Sequence, residues 1–210
     1  EIPGSTATTF NSKSYAGDAG KKALQNFAQQ NQLNATVTDG TQPGTYFTRF
    51  AVDDSPLVSI ILPFRDQADL LDKCLVSIFA RTNWPRLEVI ALDNQSEQPS
   101  TRNIIRKWRD SGKPVRFVAY DAPFNYSRIC NTGVAEAIGD YIVLINSDIE
   151  ITSDHWIEAL LGHARQPATG AVGAKLLYPG QTIQHAGIVV GIDGGAGHPY
   201  KHFPADHRGY

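Results

Sequence analysis

The sequence of 210 residues has no methionine and only two cysteines. With Glu1 at its head and no methionine anywhere, its natural start is expected to lie upstream, within a longer multidomain protein. Cys74 and Cys130 fall in stretches that read as helices, with no CxxC or Cys/His spacing. That excludes a zinc ribbon or a redox motif and predicts two buried thiols in a reducing compartment. Long apolar runs are missing too. VSIIL, YIVLI and GIVVG are the longest, far short of the roughly 18 residues that cross a bilayer, so no membrane span is expected. Charge of either sign is not in excess: 19 Lys+Arg face 21 Asp+Glu, for a formal charge of -2. A sequence-independent grip on a nucleic-acid backbone is therefore not expected. No GxGxxG follows the first strand of the alternating region described below and no GxxxxGK occurs anywhere, which disfavours dinucleotide-binding and P-loop readings. The glycine-rich Gly194-Gly195-Ala196-Gly197 follows a late strand and reads as a flexible loop.

What is present suits one good core, with 41% hydrophobic and 19% charged residues. Residues 1–17 are Ser, Thr, Gly and Asn around a single Phe and predict a flexible tail. Residues 18–55 predict a small appendage. In it, a helix capped by Asp18 runs through Asn31 with Leu24, Phe27 and Ala28 on one face, and two short strands flank Asp39-Gly40 and Pro43-Gly44. From residue 56 to 210 short β-rich runs alternate with amphipathic helical stretches. Strands LVSIILP, LEVIALD, VRFVAYD and YIVLINSD are separated by helices ADLLDKCLVSIFA, PSTRNIIRKWRDSG and SRICNTGVAEAIG, the last with Ser127 as its cap. SDHWIEALLGHA, a further helix, precedes two more strand candidates, AVGAKLLY and IQHAGIVVGI. This alternation predicts an α/β fold with a mostly parallel sheet flanked by helices.

In such a sheet the ligand crevice lies outside the carboxyl ends of the strands. Those ends read Pro63-Phe64-Arg65-Asp66, then Asp93-Asn94-Gln95-Ser96, then Asp121, then Asn146-Ser147-Asp148. Carboxylates gathered at one sheet edge repel one another unless a cation or a hydrogen-bonding ligand arrives. Each acid has two readings, as the cap of the helix that follows or as a ligand group. Capping weighs at least as heavily for Asp66 and Asp121, and the ligand role is favoured for Asp93 and Asp148. Without a phosphate-binding glycine loop, a diphosphate needs another partner, and a carboxylate-held metal supplies one.

PLVSIILPFRDQADLLDKCLVSIFART, LEVIALDNQS and GDYIVLINSDIEI, in this order, resemble the opening of the inverting family-two glycosyltransferases with the GT-A fold. FNYSRICNTGVAEAIGDY and GAVGAKLLYPGQTIQHAGIVVG, with the helix and hairpin before them, resemble the branch that builds bacterial surface polysaccharides. The resemblance implies a Rossmann-like nucleotide-binding half and a donor site. Pro63, Phe64, Arg65 and Asp66 would surround the nucleobase and ribose, and Asp93, with Asn94 beside it, would meet the base. Arg128 would approach the diphosphate, with Asn131 nearby. Asn146 would face the ribose, and Asp148 would be the metal-binding acid of a DXD-type motif. His185 would reach the sugar pocket or hold a structural hydrogen bond. Two departures stand out: one acid of the motif is Asn146 here, and Gln95 occupies a position where the family commonly has glycine.

The implied reaction moves a sugar from a nucleotide diphosphate, UDP being the expected carrier, to a hydroxyl of a glycan or lipid-linked glycan acceptor. It proceeds with inversion and a divalent Mn or Mg ion, in the cytoplasm or at the inner face of its membrane. The general base is expected beyond Tyr210, because none of Asp154, Glu158, Asp193 and Asp206 sits in a stretch like the family's later acidic segment. A nucleotidyltransferase for sugar phosphates, or a non-catalytic nucleotide- or glycan-binding module, are the alternatives. The former would want a basic glycine-rich loop where PFRDQAD stands.

Overall fold

The computed structural model describes residues 14–207. Residues 1–13 of the predicted tail lie outside them. Contacts divide the chain into two compact units, one running from Asp53 to Ile157 and the other made of the segments on either side.

The Asp53–Ile157 unit is built on four strands, β3 (Val58–Phe64), β4 (Leu87–Asp93), β5 (Val115–Ala119) and β6 (Tyr141–Leu144), in the order β5-β4-β3-β6. All three pairings are parallel, which makes this the mostly parallel sheet that the alternating sequence predicts. Between the strands lie α2 (Ala68–Arg81), α3 (Pro99–Arg109) and α4 (Tyr126–Glu136). Central β3 is buried at every position, as expected for a strand covered on both faces. Its alternate residues feed two cores. Ile60, Leu62 and Phe64 join Leu71, Cys74, Leu75 and Ile78 of α2 and Trp108 of α3. Ile61 joins Ile90, Leu92, Tyr120 and, from α4, Ile129 and Cys130. Both cysteines are buried free thiols.

Glycine sets two close approaches. A Cβ on Gly133 of α4 would fall 2.5 Å from Ile61 Cγ2 and 2.7 Å from Leu92 Cδ1. In the turn from α4 to β6, a Cβ on Gly139 would meet the Ser59 nitrogen at 2.8 Å and the Leu57 oxygen at 2.9 Å. That turn is held by Gly139 N–H donating to Ser59 Oγ (2.9 Å) and Ile138 N–H to Glu88 Oε1 (3.0 Å), while Ser59 Oγ–H donates to Glu88 Oε1 (2.5 Å).

Some boundaries differ from the sequence expectations. The cap of α4 is Asn125, whose Oδ1 accepts from the Arg128 amide at 2.9 Å, and not Ser127. Its side chain reaches the third amide of the helix, the usual partner of a capping oxygen. Strand β6 stops at Leu144, and Asn146 to Asp148 form a turn with Ile149 N–H donating to Asn146 O at 3.2 Å.

In the other unit, α1 (Ser14–Gln30) packs on the hairpin of β1 (Ala35–Asp39) and β2 (Tyr46–Phe50). It begins before the expected cap at Asp18. The Tyr46 hydroxyl donates to Gly17 O at 2.8 Å, so the hairpin engages the helix ahead of Asp18. Helix α5 (Trp156–Ala164) runs across the boundary between the units. The late strand candidates supply β7 (Leu176–Leu177), β8 (Ile183–His185) and β9 (Val189–Val190); β7 pairs antiparallel with β8, and β9 pairs with β10 (Ala196–Gly197), which forms in the glycine-rich stretch expected to be a flexible loop. No helix among the described residues is long and apolar enough to cross a membrane.

Candidate functional site

At the carboxyl edge of the sheet a cavity of about 620 Å³ opens between the loops after β3, β4 and β6 and the start of α4. Pro63, Phe64, Arg65, Asn94, Asn146 and Asp148 line it, together with Gln67, Leu70, Phe124, Tyr126, Ile129 and Ser147. The register explains the meeting, since Phe64 pairs with Asp93 across β3 and β4, while Leu144 of β6 pairs with Ile61. The three strand-end loops therefore leave the sheet side by side.

Asn94 is the most telling wall residue, only 2% exposed. Its Nδ2 donates to Ala122 O at 2.9 Å and to Tyr120 O at 3.3 Å. Those two carbonyls use both N–H groups and fix the orientation of the amide. Its Oδ1 is buried without a hydrogen-bond partner. A buried acceptor left unpaired costs about 1–3 kcal/mol, and a donor on a ligand in the cavity would remove that cost.

Asp93 and Asp66 serve the loops themselves. Asp93 Oδ1 accepts from the Ser96 amide at 2.9 Å. Asp66 Oδ1 accepts from the Glu97 and Gln98 amides at 3.0 and 2.9 Å and from Thr101 Oγ1 at 3.3 Å, and the Asp66 amide donates to Ser96 Oγ at 2.8 Å. The carboxylate therefore anchors the lead-in to α3 (Pro99–Arg109) and ties the first loop to the second. Arg65 lies 3.8 Å from Glu97 in an exposed ion pair. Neither Asp66 nor Asp93 is on the cavity wall, and neither are Arg128 and Asn131, both exposed on α4. His185 belongs to the other unit, where its Nδ1 lies 2.9 Å from His198 Nδ1. Burial first, and then the charge of His198, lower its pKa. A second cavity, of about 690 Å³, is confined to that unit; Leu24, Phe27, Phe50, Val172 and His163 are on its wall and no carboxylate is.

The loop after β4 carries strain. Gln95 has φ 60°, in the left-handed region that glycine enters freely and other residues enter at about 1–2 kcal/mol. This accounts for glycine being common there in the family that the sequence resembles. Gln95→Gly should raise stability by about 1 kcal/mol, read as a higher midpoint in thermal unfolding.

Among the described residues, Asp148 is the one carboxylate on the wall. It is exposed, and no group of three His, Cys, Asp or Glu side chains able to hold a metal ion occurs among the described residues. Around it Asn146 and Ser147 add neutral oxygens. A hard divalent ion such as Mg²⁺ is commonly held through one or two carboxylates plus substrate phosphates and water, and this all-oxygen set fits that pattern. The negative charge of Asp148 also reaches inward: burial first, and then this charge, push the Cys74 thiol up to about 12.

A parallel sheet with its cavity at the carboxyl edge defines the open α/β class, whose ligands sit at that edge. Within that class, residues 59–186 match the model of glycosyl transferase family 2, and the chain belongs to that family. It is 37% identical over 209 residues to the uncharacterized protein y4gI of Sinorhizobium fredii, covering 99% of this chain and 23% of that one. It is 39% identical over 189 residues to the O-antigen biosynthesis protein RfbC of Myxococcus xanthus, covering 90% of this chain and 15% of that one. The chain thus spans less than a quarter of either relative. Among solved structures, the mannosyltransferase PcManGT of Pyrobaculum calidifontis, in complex with GDP-Man and Mn²⁺, superposes with a TM-score of 0.52 at 19% identity. The match covers 81% of this chain and 47% of that one and shows a shared fold.

Proposed function

We propose that this chain binds the nucleotide-diphosphate sugar of a metal-assisted, inverting glycosyl transfer that serves the synthesis of a bacterial surface polysaccharide. The observation that carries the reading is the cavity's pair of chemically distinct walls. Asn94 holds an unpaired buried acceptor at one side and Asp148 an exposed carboxylate at the other. Uracil, thymine and guanine each present a ring N–H that suits the Asn94 oxygen. Asp93, through Ser96, and Asp66, through α3, keep the base-side loops in place. Arg65 and Tyr126 on the wall flank the space for base and ribose. Asp148, with Asn146 and Ser147, would hold a divalent ion against the diphosphate; when bound, that ion supplies charge stabilisation to the leaving group. The acceptor, glycan or lipid-linked, needs a base to take its hydroxyl proton. Asp148, the single acid on this wall, is engaged with the donor, so that base comes from elsewhere.

The kinship to an O-antigen biosynthesis protein supports the polysaccharide assignment, and the GDP-Man and Mn²⁺ of the mannosyltransferase support the donor type and the ion. The test is calorimetric titration of the chain with UDP, GDP and dTDP, each with and without Mn²⁺. One of them should bind, more tightly with the ion present. Asn94→Leu should weaken that nucleotide about tenfold whether or not Mn²⁺ is added, the value of one hydrogen bond from a well-placed neutral donor. Affinities that ignore both Mn²⁺ and the Asn94 substitution would remove the reading.

A further inference from the structure

Helix α2 passes beneath the turn that carries Asp148 and is bonded to it at two points. Ser77 is 7% exposed; its Oγ donates to Cys74 O at 2.8 Å and accepts from the Ile151 amide at 2.9 Å. Cys74, one helical turn earlier and fully buried, directs its Sγ toward Asn146 O at 3.8 Å. Residues 74 and 77 lie on one helix face by their spacing of three. The two bonds thus grip the segment 146–151 at its first carbonyl and its last amide. Between the grips, Ile149 and Ile151 pack on the core while Asp148 is exposed on the cavity wall.

We propose that Ser77, assisted by Cys74, is a positioning residue for Asp148: by fixing both ends of the 146–151 segment, α2 holds the carboxylate where an ion and a diphosphate can share it. This rests on the reading of Asp148 given above. Strand β6 ends before the turn, so sheet hydrogen bonding alone does not set the turn's height above the cavity. A carboxylate on an untethered turn would have to be ordered on each binding event, and pre-organisation removes that cost.

The test combines hydrogen exchange with nucleotide titration on the full chain. In Ser77→Ala the amides of residues 147–151 should lose protection about tenfold, the value of one buried hydrogen bond, while those of Ile60 and Ile90 stay protected. Mn²⁺-dependent affinity for whichever of UDP, GDP and dTDP the wild type binds should fall by a similar factor, and Mn²⁺-free affinity should stay within about twofold. Cys74→Ala should shift both quantities in the same direction and Cys74→Ser, which keeps a donor, should restore them. This second pair decides the matter if Ser77→Ala fails to fold. Unchanged protection of residues 147–151 in both alanine variants overturns the proposal, as does a loss of nucleotide affinity that is equal with and without Mn²⁺. If the wild type's affinity for UDP, GDP and dTDP ignores Mn²⁺ throughout, the metal reading of Asp148 fails and this proposal falls with it; the exchange data would then show α2 as a tether of the turn alone.

Discussion

Asp148→Ala should abolish the tightening of nucleotide binding by Mn²⁺, a loss of roughly a hundredfold or more in the metal-dependent affinity. The size follows from the donor set. With one carboxylate on the cavity wall, its removal leaves only the neutral oxygens of Asn146 and Ser147, which do not offset the dehydration of a hard divalent ion. The fold should survive, because Asp148 is exposed and its side chain makes no hydrogen bond within the described residues. Titration of the variant beside its thermal melting curve checks both halves of the expectation. A Mn²⁺ effect that persists in Asp148→Ala would sink the assignment of the acid. A parallel collapse of the melting curve would mean that the residue also supports the fold.

Gly139→Ala should be the most damaging single-methyl change in the parallel sheet. The added carbon would stand 2.5 Å from Ser59 Oγ and under 3 Å from two backbone atoms of the β3 lead-in, Ser59 N and Leu57 O. Backbone in a central, fully buried strand cannot move aside as a side-chain tip can. The turn must shift instead, stretching the bonds from Gly139 to Ser59 and from Ile138 to Glu88. Overpacking of this kind costs about 1–3 kcal/mol and occasionally more, and the upper end is expected here, or a fall in melting temperature of roughly 6–12 °C. Since the same turn launches β6, nucleotide binding should weaken along with stability. A melting temperature within 2 °C of wild type would show that the turn has room that the distances deny.

The parallel sheet was legible because its signals are local and repeated: short β-branched runs, helical spacing between them, and polar residues at each run's end. The class of site followed from the same pattern, since strand ends in a parallel sheet converge whatever lies between. What stayed hidden depends on partners far apart in sequence. Asp66 reads as a ligand or as the cap of the next helix, yet it holds the lead-in to α3, because the parallel register sets the first loop beside the second. Asn94 is one polar residue among four at its strand end, and only the carbonyls of Tyr120 and Ala122 reveal that its oxygen is left over. Ser77 and Cys74 look like ordinary small residues of an apolar helix face until the turn above them is seen. For the late strands, length misled: AVGAKLLY and IQHAGIVVGI carry enough β-formers for full strands, but only two- and three-residue pairings form. Their many glycines favour turns over ladders.

Strand β6 pairs with β3 over four residues, whereas β3 and β4 share seven. Opening reactions that release β6 from the edge of the sheet therefore break fewer bonds than those that part β3 from β4, and native-state exchange should rank them in that order. The acid turn rides on this weaker strand while Asn94 rides on the stronger one. On gentle heating, the molecule should then pass through a partly opened form that still has the Asn94 side of its cavity but has lost the Asp148 side. Nucleosides and nucleotides should part company in affinity some degrees before the cooperative melt.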